Sequence, residues 1–320
     1  MTTRTVCILG GTGFIGYHLA NQLVKAGMRV RIPSRRRERH RDLLVIPGVD
    51  VVETDIHDPK QLESVIDDCD AVVNLVAILH ERRKDGFTRV HVELPRRVVH
   101  ACLARGVRRI IHISALHADA KNGPSAYLRS KGEGEQVVLG AHSDNLAVTV
   151  FRPSVVFGAG DHFFTLFAGL LRMSPGPVPL ACPRARMAPV FVGDVVANIV
   201  AALDDRHTKG KRYELCGPRV YTLEQLVQYV NQLLDLRRSI IPLGDGASRL
   251  LAKVLGMLPG KIMTTDNYLS LTVDAVCTEP AAAPVACTTP IEAVVPLYTG
   301  QKDQRSFYDA HRSSVRDDAA

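Results

Sequence analysis

Val6-Cys7-Ile8-Leu9-Gly10-Gly11-Thr12-Gly13-Phe14-Ile15-Gly16 decides the fold, because a short apolar run breaks into glycines and then opens a helical pattern. Ile15, Leu19, Leu23 and Val24 recur at helical spacing and Ala26-Gly27 ends the run, so the order is strand, glycine turn, helix. Gly10 and Gly13 can take backbone angles closed to other residues and leave no side chain in the way of a diphosphate, while Gly16 lets the helix approach the sheet. The first turn of that helix offers unpaired N–H groups to an anion. Glycines at this spacing are a weak signal alone. At the end of the chain's first strand they predict a dinucleotide site, with Thr12, Phe14 and Ile15 in its wall.

Met28 to Ile32 reads as a second strand, running into Pro33-Ser34-Arg35-Arg36-Arg37-Glu38-Arg39-His40-Arg41. A site for NAD(H) wants an acidic residue here for the adenosine ribose hydroxyls; this chain has Ser34 followed by arginines. A carboxylate would repel a 2′-phosphate, whereas a hydroxyl with the guanidinium groups of Arg35 and Arg36 binds it through charge-assisted hydrogen bonds. The expected cofactor is NADP(H), with NAD(H) the alternative. Arg39 and Arg41 read as a solvated basic face. No aromatic residues interleave with this charge, so nucleic acid is not an expected partner.

Val49 to Ile56 reads as a third strand, and a helix opened by Asp58-Pro59 follows it. Asp55 and Ile56 stand at the strand's end, where Asp55 either reaches an adenine edge or caps the next turn. Ala71 to Leu79, apolar except for Asn74, has the character of a strand covered on both faces, and it sets Leu75, Val76 and Ala77 along the cofactor's path. Val90 to Leu103 reads as a helix closed by Gly106, and Arg108 to Ser114 as a fifth strand. Strands and helices alternating this regularly predict an α/β fold, a doubly wound parallel sheet of Rossmann type with its ligand at the carboxyl ends of the strands.

Ser114 closes that fifth strand, and Tyr127-Leu128-Arg129-Ser130-Lys131 follows on a predicted helix. Tyr127 and Lys131 share one helical face. A phenol titrates near 10, and an ammonium one turn away favours the phenolate and lowers that value. The pair therefore makes an acid/base catalyst, and Ser114 can hold a carbonyl or hydroxyl oxygen beside it for hydride transfer. The alternative is a surface tyrosine beside a solvated lysine.

Four stretches together resemble the extended or atypical short-chain dehydrogenase/reductases of the epimerase/dehydratase branch: Gly10 to Gly16, Asp70 to Ala77, Tyr127 to Lys131, and Phe151-Arg152-Pro153-Ser154-Val155-Val156-Phe157-Gly158-Ala159-Gly160-Asp161. The resemblance covers about residues 4 to 235 in unbroken order. Within that branch, Ser34-Arg35-Arg36, Arg89-Val90-His91-Val92-Glu93, Tyr127 to Glu135 and Asp161-His162-Phe163 are most similar to the group around a nucleotide-binding accessory subunit of respiratory complex I. The resemblance implies that Ser114, Tyr127 and Lys131 occupy the catalytic positions. It also implies that Pro153, Ser154 and Val155 flank the nicotinamide and that Lys131 holds the nicotinamide ribose. Two functions follow: an oxidoreductase acting on a carbonyl or alcohol, or a non-catalytic NADPH-binding accessory or assembly subunit associated with respiratory complex I or quinone metabolism, peripheral to the inner membrane; an isoprenoid quinone or a sugar nucleotide is a third substrate reading. His91 departs from the pattern, standing where many extended members carry asparagine, and this leaves open a proton relay through that position.

The cofactor domain is expected over residues 1–155, a mixed C-terminal lobe over 156–300 and a flexible tail over 301–320. Phe163 to Leu171 reads as a helix that is core or else a wall of an apolar substrate pocket, Val190 to Leu203 as a short strand feeding a helix, Tyr213 to Leu215 as a strand returning to the sheet, and Thr222 to Gln225 as a capped helix start. Residues 245 to 276 read as helical, and from Glu279 the composition turns to Ala, Pro and Thr. Seven scattered cysteines without a Cys-x-x-Cys pair read as reduced thiols in a cytoplasmic compartment. No signal peptide or membrane-spanning run is visible, and the histidines show no metal spacing, so no metal is expected. The net charge of +7 suits an anionic partner: a phosphorylated ligand or an anionic lipid surface.

Overall fold

The computed structural model describes residues 4–81, 85–257, 263–278 and 283–299. Its centre is a sheet of seven parallel strands: β1 (Thr5–Leu9), β2 (Arg29–Ser34), β3 (Val49–Glu53), β4 (Ala71–Asn74), β5 (Arg109–Ile113), β6 (Ala147–Pro153) and β7 (Lys211–Leu215). The spatial order is β7-β6-β5-β4-β1-β2-β3, so the direction of winding reverses between β1 and β4. That switch point opens a crevice at the carboxyl ends of the strands.

The helices lie on both faces. Helix α1 (Phe14–Lys25) packs on one face with α6 (Val192–Asp204), around Ile8, Leu19, Leu23, Ile32, Val195 and Ile199. The other face carries α2 (Pro59–Ile66), α3 (Leu94–Arg105) and α4 (Ala126–Gly140) over Leu9, Leu62, Leu94, Val98, Val138 and Val148. Both cores alternate along single strands: Ile8 faces one layer and Leu9 the other, as the strand period dictates. The doubly wound sheet predicted from the alternation is the fold observed, and β7 returns to it beside β6 as read from Tyr213 to Leu215.

The later residues build a smaller lobe from α5 (Phe163–Met173), α7 (Leu223–Leu233), α8 (Asp245–Met257), α9 (Thr265–Ser270) and α10 (Ile291–Thr299). Phe157, Phe164, Leu171, Val227, Val230 and Val295 form its core, so α5 is a core helix on one face. Thr222 and Gln225 make the reciprocal capping box at the start of α7. Among the described residues no helix is long and apolar enough to cross a membrane.

Three expectations change. The strand read over Ala71 to Leu79 stops at Asn74, whose side-chain Oδ1 accepts from the Val76 amide and turns the chain. The helix read from Val90 begins as a π turn over Arg89–Glu93 before α3. The thiols are not all reduced: Cys216, just past β7, is disulfide-bonded to Cys277. Their separation of 61 residues left no local signal, and the two meet because the chain after α9 crosses the end of β7. The tail over 301–320 lies outside the described residues.

Candidate active site

The glycine turn is built as its spacing requires. Gly10 has φ +79°, and a β-carbon there would stand 3.2 Å from the backbone of Leu75 and Val76. A β-carbon at Gly16 would stand 2.4 Å from the Gly11 Cα, so only glycine lets α1 sit on the turn. Helix α1 has no side-chain cap at Gly13 and no acidic residue in its first turn, which leaves its amides facing the crevice. Phe14 and Ile15 lie half-buried behind the turn, with Ile15 packed on the core.

A cleft of about 760 Å³ runs from this turn along the ends of β2 and β3, lined by Gly10, Thr12, Ser34, Arg35, Arg36 and Val76 among others. Arg39, His40, Thr54 and Ile56 complete it. Arg39 was read as a solvated face; the short helical turn over Arg37–Arg39 brings it back to the cleft. Three arginines and no carboxylate line this wall. Asp55 is outside it: its Oδ1 accepts from the His57 amide at 3.0 Å, the turn-capping role, while Ile56 faces the cleft. Leu75 is half-buried and Ala77 exposed on the loop after β4.

Helix α4 starts at Ser125, whose Oγ accepts from the Leu128 amide. Its position is fixed by the Glu135 carboxylate, which is buried and paired in two bonds of 2.8 Å with Arg152 on β6. Gly134 allows closest approach, since a β-carbon there would strike the His91 carbonyl of the π turn. This register carries the Lys131 Nζ to the Ile113 carbonyl, where it donates at 2.6 Å. Lys131 is thus held at the last residue of β5, next to Ser114. The Ser114 Oγ is buried and has no hydrogen-bond partner among the described residues. Tyr127 lies one turn before Lys131, with its ring edge-to-face on His91 and Phe87.

The titration behaviour departs from the simple expectation. Burial, and then the Asp266 carboxylate, push the Tyr127 phenol up to about 12. Burial draws the Lys131 ammonium down to about 8, partly opposed by Glu135. Burial of both groups outweighs the lowering of the phenol expected from their spacing, and the ammonium donates to the Ile113 carbonyl. His91 is held down to about 3, by burial first and by Lys131 second. Its Nε2 accepts from the Ile78 amide, so its Nδ1 donates to the Ser130 Oγ. Both nitrogens are engaged in holding the loop after β4 against α4, which removes His91 from a proton relay.

Asp266 is the residue that the sequence reading missed. From α9 its carboxylate accepts from the amides of both Ala126 (2.7 Å) and Tyr127 (3.1 Å), at the N-terminus of α4. No local signal marks it beyond the Thr264/Asn267 capping box that opens α9. Past α9 the chain crosses the ends of β6 and β7: the Ser154 Oγ donates to the Ala275 carbonyl, and the His117 Nε2 donates to that of Val276. Pro153 and Val155 flank Ser154 at this edge. Among the described residues no group of His, Cys, Asp and Glu is arranged to hold a metal ion.

A glycine turn at the switch point of a doubly wound parallel sheet places the protein in the class of nucleotide-binding Rossmann-type folds. Residues 6–216 match the NAD dependent epimerase/dehydratase family, and the chain belongs to it. It is 31% identical over 81% of its length to NADH dehydrogenase [ubiquinone] 1 alpha subcomplex subunit 9, mitochondrial, of Mus musculus, covering 69% of that protein. It is 33% identical over 61% of its length to a ceramide reductase of Caulobacter vibrioides, covering 60% of that protein. Its fold matches UDP-glucuronic acid 4-epimerase from Bacillus cereus in complex with UDP-glucuronic acid and NAD, with TM-score 0.66 and 18% identity over 84% of this chain and 99% of that one.

Proposed function

We propose that this protein is an NADP(H)-dependent oxidoreductase that exchanges hydride with a carbonyl or alcohol substrate. The observation that carries the reading is the buried Ser114 Oγ, unpartnered among the described residues, beside the Lys131 that is pinned to β5. A buried hydroxyl without a partner costs stability, and such a cost is expected where a substrate oxygen completes the bond. Gly10, Thr12, Gly13 and Gly16 would hold the diphosphate, and Ser34, Arg35, Arg36 and Arg39 the 2′-phosphate. Ile56 and Val76 would face the adenine, with Asp55 shaping that turn, and Lys131 with Pro153, Ser154 and Val155 would border the nicotinamide end. Bound there, the cofactor supplies the hydride.

The remaining chemistry is the chain's own. Ser114 donates its free hydroxyl proton to the substrate oxygen and fixes it near Tyr127. The phenol, pushed up to about 12, is protonated at neutral pH, and it would give that proton to the carbonyl oxygen as hydride arrival turns this oxygen into a stronger base, an alkoxide. Tyr127→Phe should lower NADPH oxidation against a panel of ketones and aldehydes by roughly a thousandfold while NADPH affinity stays within about twofold. Equal loss of binding and turnover would contradict the assigned role.

A second reading has its own support: an NADPH-holding subunit without turnover, lying against a respiratory complex. The Lys131 ammonium is spent on a backbone carbonyl rather than on the phenol, and one relative bears the name of a complex I subunit. NADPH that stays bound to the parent without oxidation across that panel would favour it.

A further inference from the structure

Helix α8 is apolar on its solvent side as well as on the side it packs against the lobe. Buried Ser248 and Ala252 and half-buried Leu251 and Leu255 turn inward. The Ser248 Oγ accepts from the Cys182 amide, and Asp245 at the helix start accepts from the Tyr268 hydroxyl, so the inner face is anchored. The outer face carries Leu250, Val254 and Met257, at 64%, 50% and 81% exposure. Their spacing of four and three residues makes one continuous aliphatic row. Arg249 and Lys253, both exposed, each precede a member of that row and form a cationic flank. Ile241, on the strand Ile240–Pro242 that leads into the helix, is a further exposed aliphatic residue.

We propose that α8 docks this protein onto an anionic membrane surface. An outward aliphatic row with arginine and lysine along one flank is the pattern that seats a helix at the headgroup boundary, side chains in the acyl region and cations among the phosphates. The net charge of +7 acts in the same direction. A protein partner fits less well. The row has no aromatic anchor, and three side chains cannot supply the roughly 800 Å² per partner that a specific interface buries. The placement also has a consequence for the site, which rests on the oxidoreductase reading. Helix α8 packs on α9, whose Asp266 holds the start of the helix bearing Tyr127. A docked bilayer would lie beside the candidate active site and favour a lipid-soluble carbonyl as substrate.

The test is flotation of the full chain with phosphatidylcholine vesicles, with and without phosphatidylglycerol, which needs no activity. The parent should float with the anionic vesicles only, and less so in high salt. Leu250→Asp/Val254→Asp and Arg249→Glu/Lys253→Glu should each reduce partitioning by roughly tenfold at unchanged melting temperature. A parent that stays at the bottom with both vesicles overturns the proposal, as does either paired variant floating like the parent. A dimer in solution that Leu250→Asp/Val254→Asp dissolves would make the face a self-interface and also overturn it. If docking holds while ketone reduction fails, the docking stands and the oxidoreductase reading falls.

Discussion

Tyr127, Lys131 and His91 titrate in ways that tie stability to pH with definite signs. His91 is held near 3 against an ordinary 6.5, so between those values the unfolded chain binds more protons and stability falls as pH falls. Lys131, drawn to about 8 from 10.5, makes stability rise with pH across that window. Tyr127, pushed to about 12 from 10.0, makes it fall again above pH 10. His91→Asn, which keeps one donor and one acceptor, should flatten the acid limb of a urea-midpoint profile between neutrality and mild acid; an unchanged limb would show that His91 is not its source. The positions of Ser114, Tyr127 and Lys131 were legible in the sequence, the first from the end of a strand and the other two from their spacing of four on one helical face. Their commitments were not. That the ammonium of Lys131 goes to the Ile113 carbonyl depends on the depth of α4, set by Glu135, Arg152 and Gly134 together.

At the scale of elements, α4 is held from three sides: by the π turn at His91, by Arg152 on β6 and by Asp266 on α9. A carboxylate at a helix N-terminus satisfies orphan amides and opposes the macrodipole. Asp266→Ala should therefore lower stability by about 1–2 kcal/mol in chemical denaturation. Asp266→Asn should lower the titration point of the Tyr127 phenol, read as the phenolate absorbance lost in Tyr127→Phe. A phenol that titrates alike in both would contradict the cause assigned to Asp266. Helical and strand periods located β1, β2, β3, β5, α1 and α7 well. They failed where side chains override the pattern: Asn74 ends β4 by bonding ahead, and the π turn at Arg89–Glu93 adds a residue so that Gly134 can approach. Helix α10 was hidden by the Pro296 within it and by the Ala, Pro and Thr composition before it. Burial of Ile291 and Val295 against the lobe supplies what local propensity lacks.

Across the whole molecule, the Cys216–Cys277 link joins the last sheet strand to the segment that borders Ser154. Closing a loop of 61 residues stabilises by roughly 4 kcal/mol through the unfolded state. Cys216→Ser/Cys277→Ser should melt lower by that equivalent, and reductant should bring the parent to the same point; identical melting of all three would contradict a formed bond. Membership in the epimerase/dehydratase family establishes the sheet and the glycine turn, and leaves substrate to the lobe and cofactor choice to the β2 edge. The arginines of that edge are readable as a run with Glu38 among them, because charge needs no tertiary detail, whereas Arg39 reaches the cleft only through the turn of Arg37–Arg39. The most direct measurement is the affinity of the purified protein for NADPH and NADH, followed by nicotinamide fluorescence. The account predicts NADPH binding at least roughly tenfold tighter, a difference of about 1.4 kcal/mol, lost in Arg35→Ala/Arg36→Ala. NADH binding as tightly as NADPH, or neither binding, would contradict it.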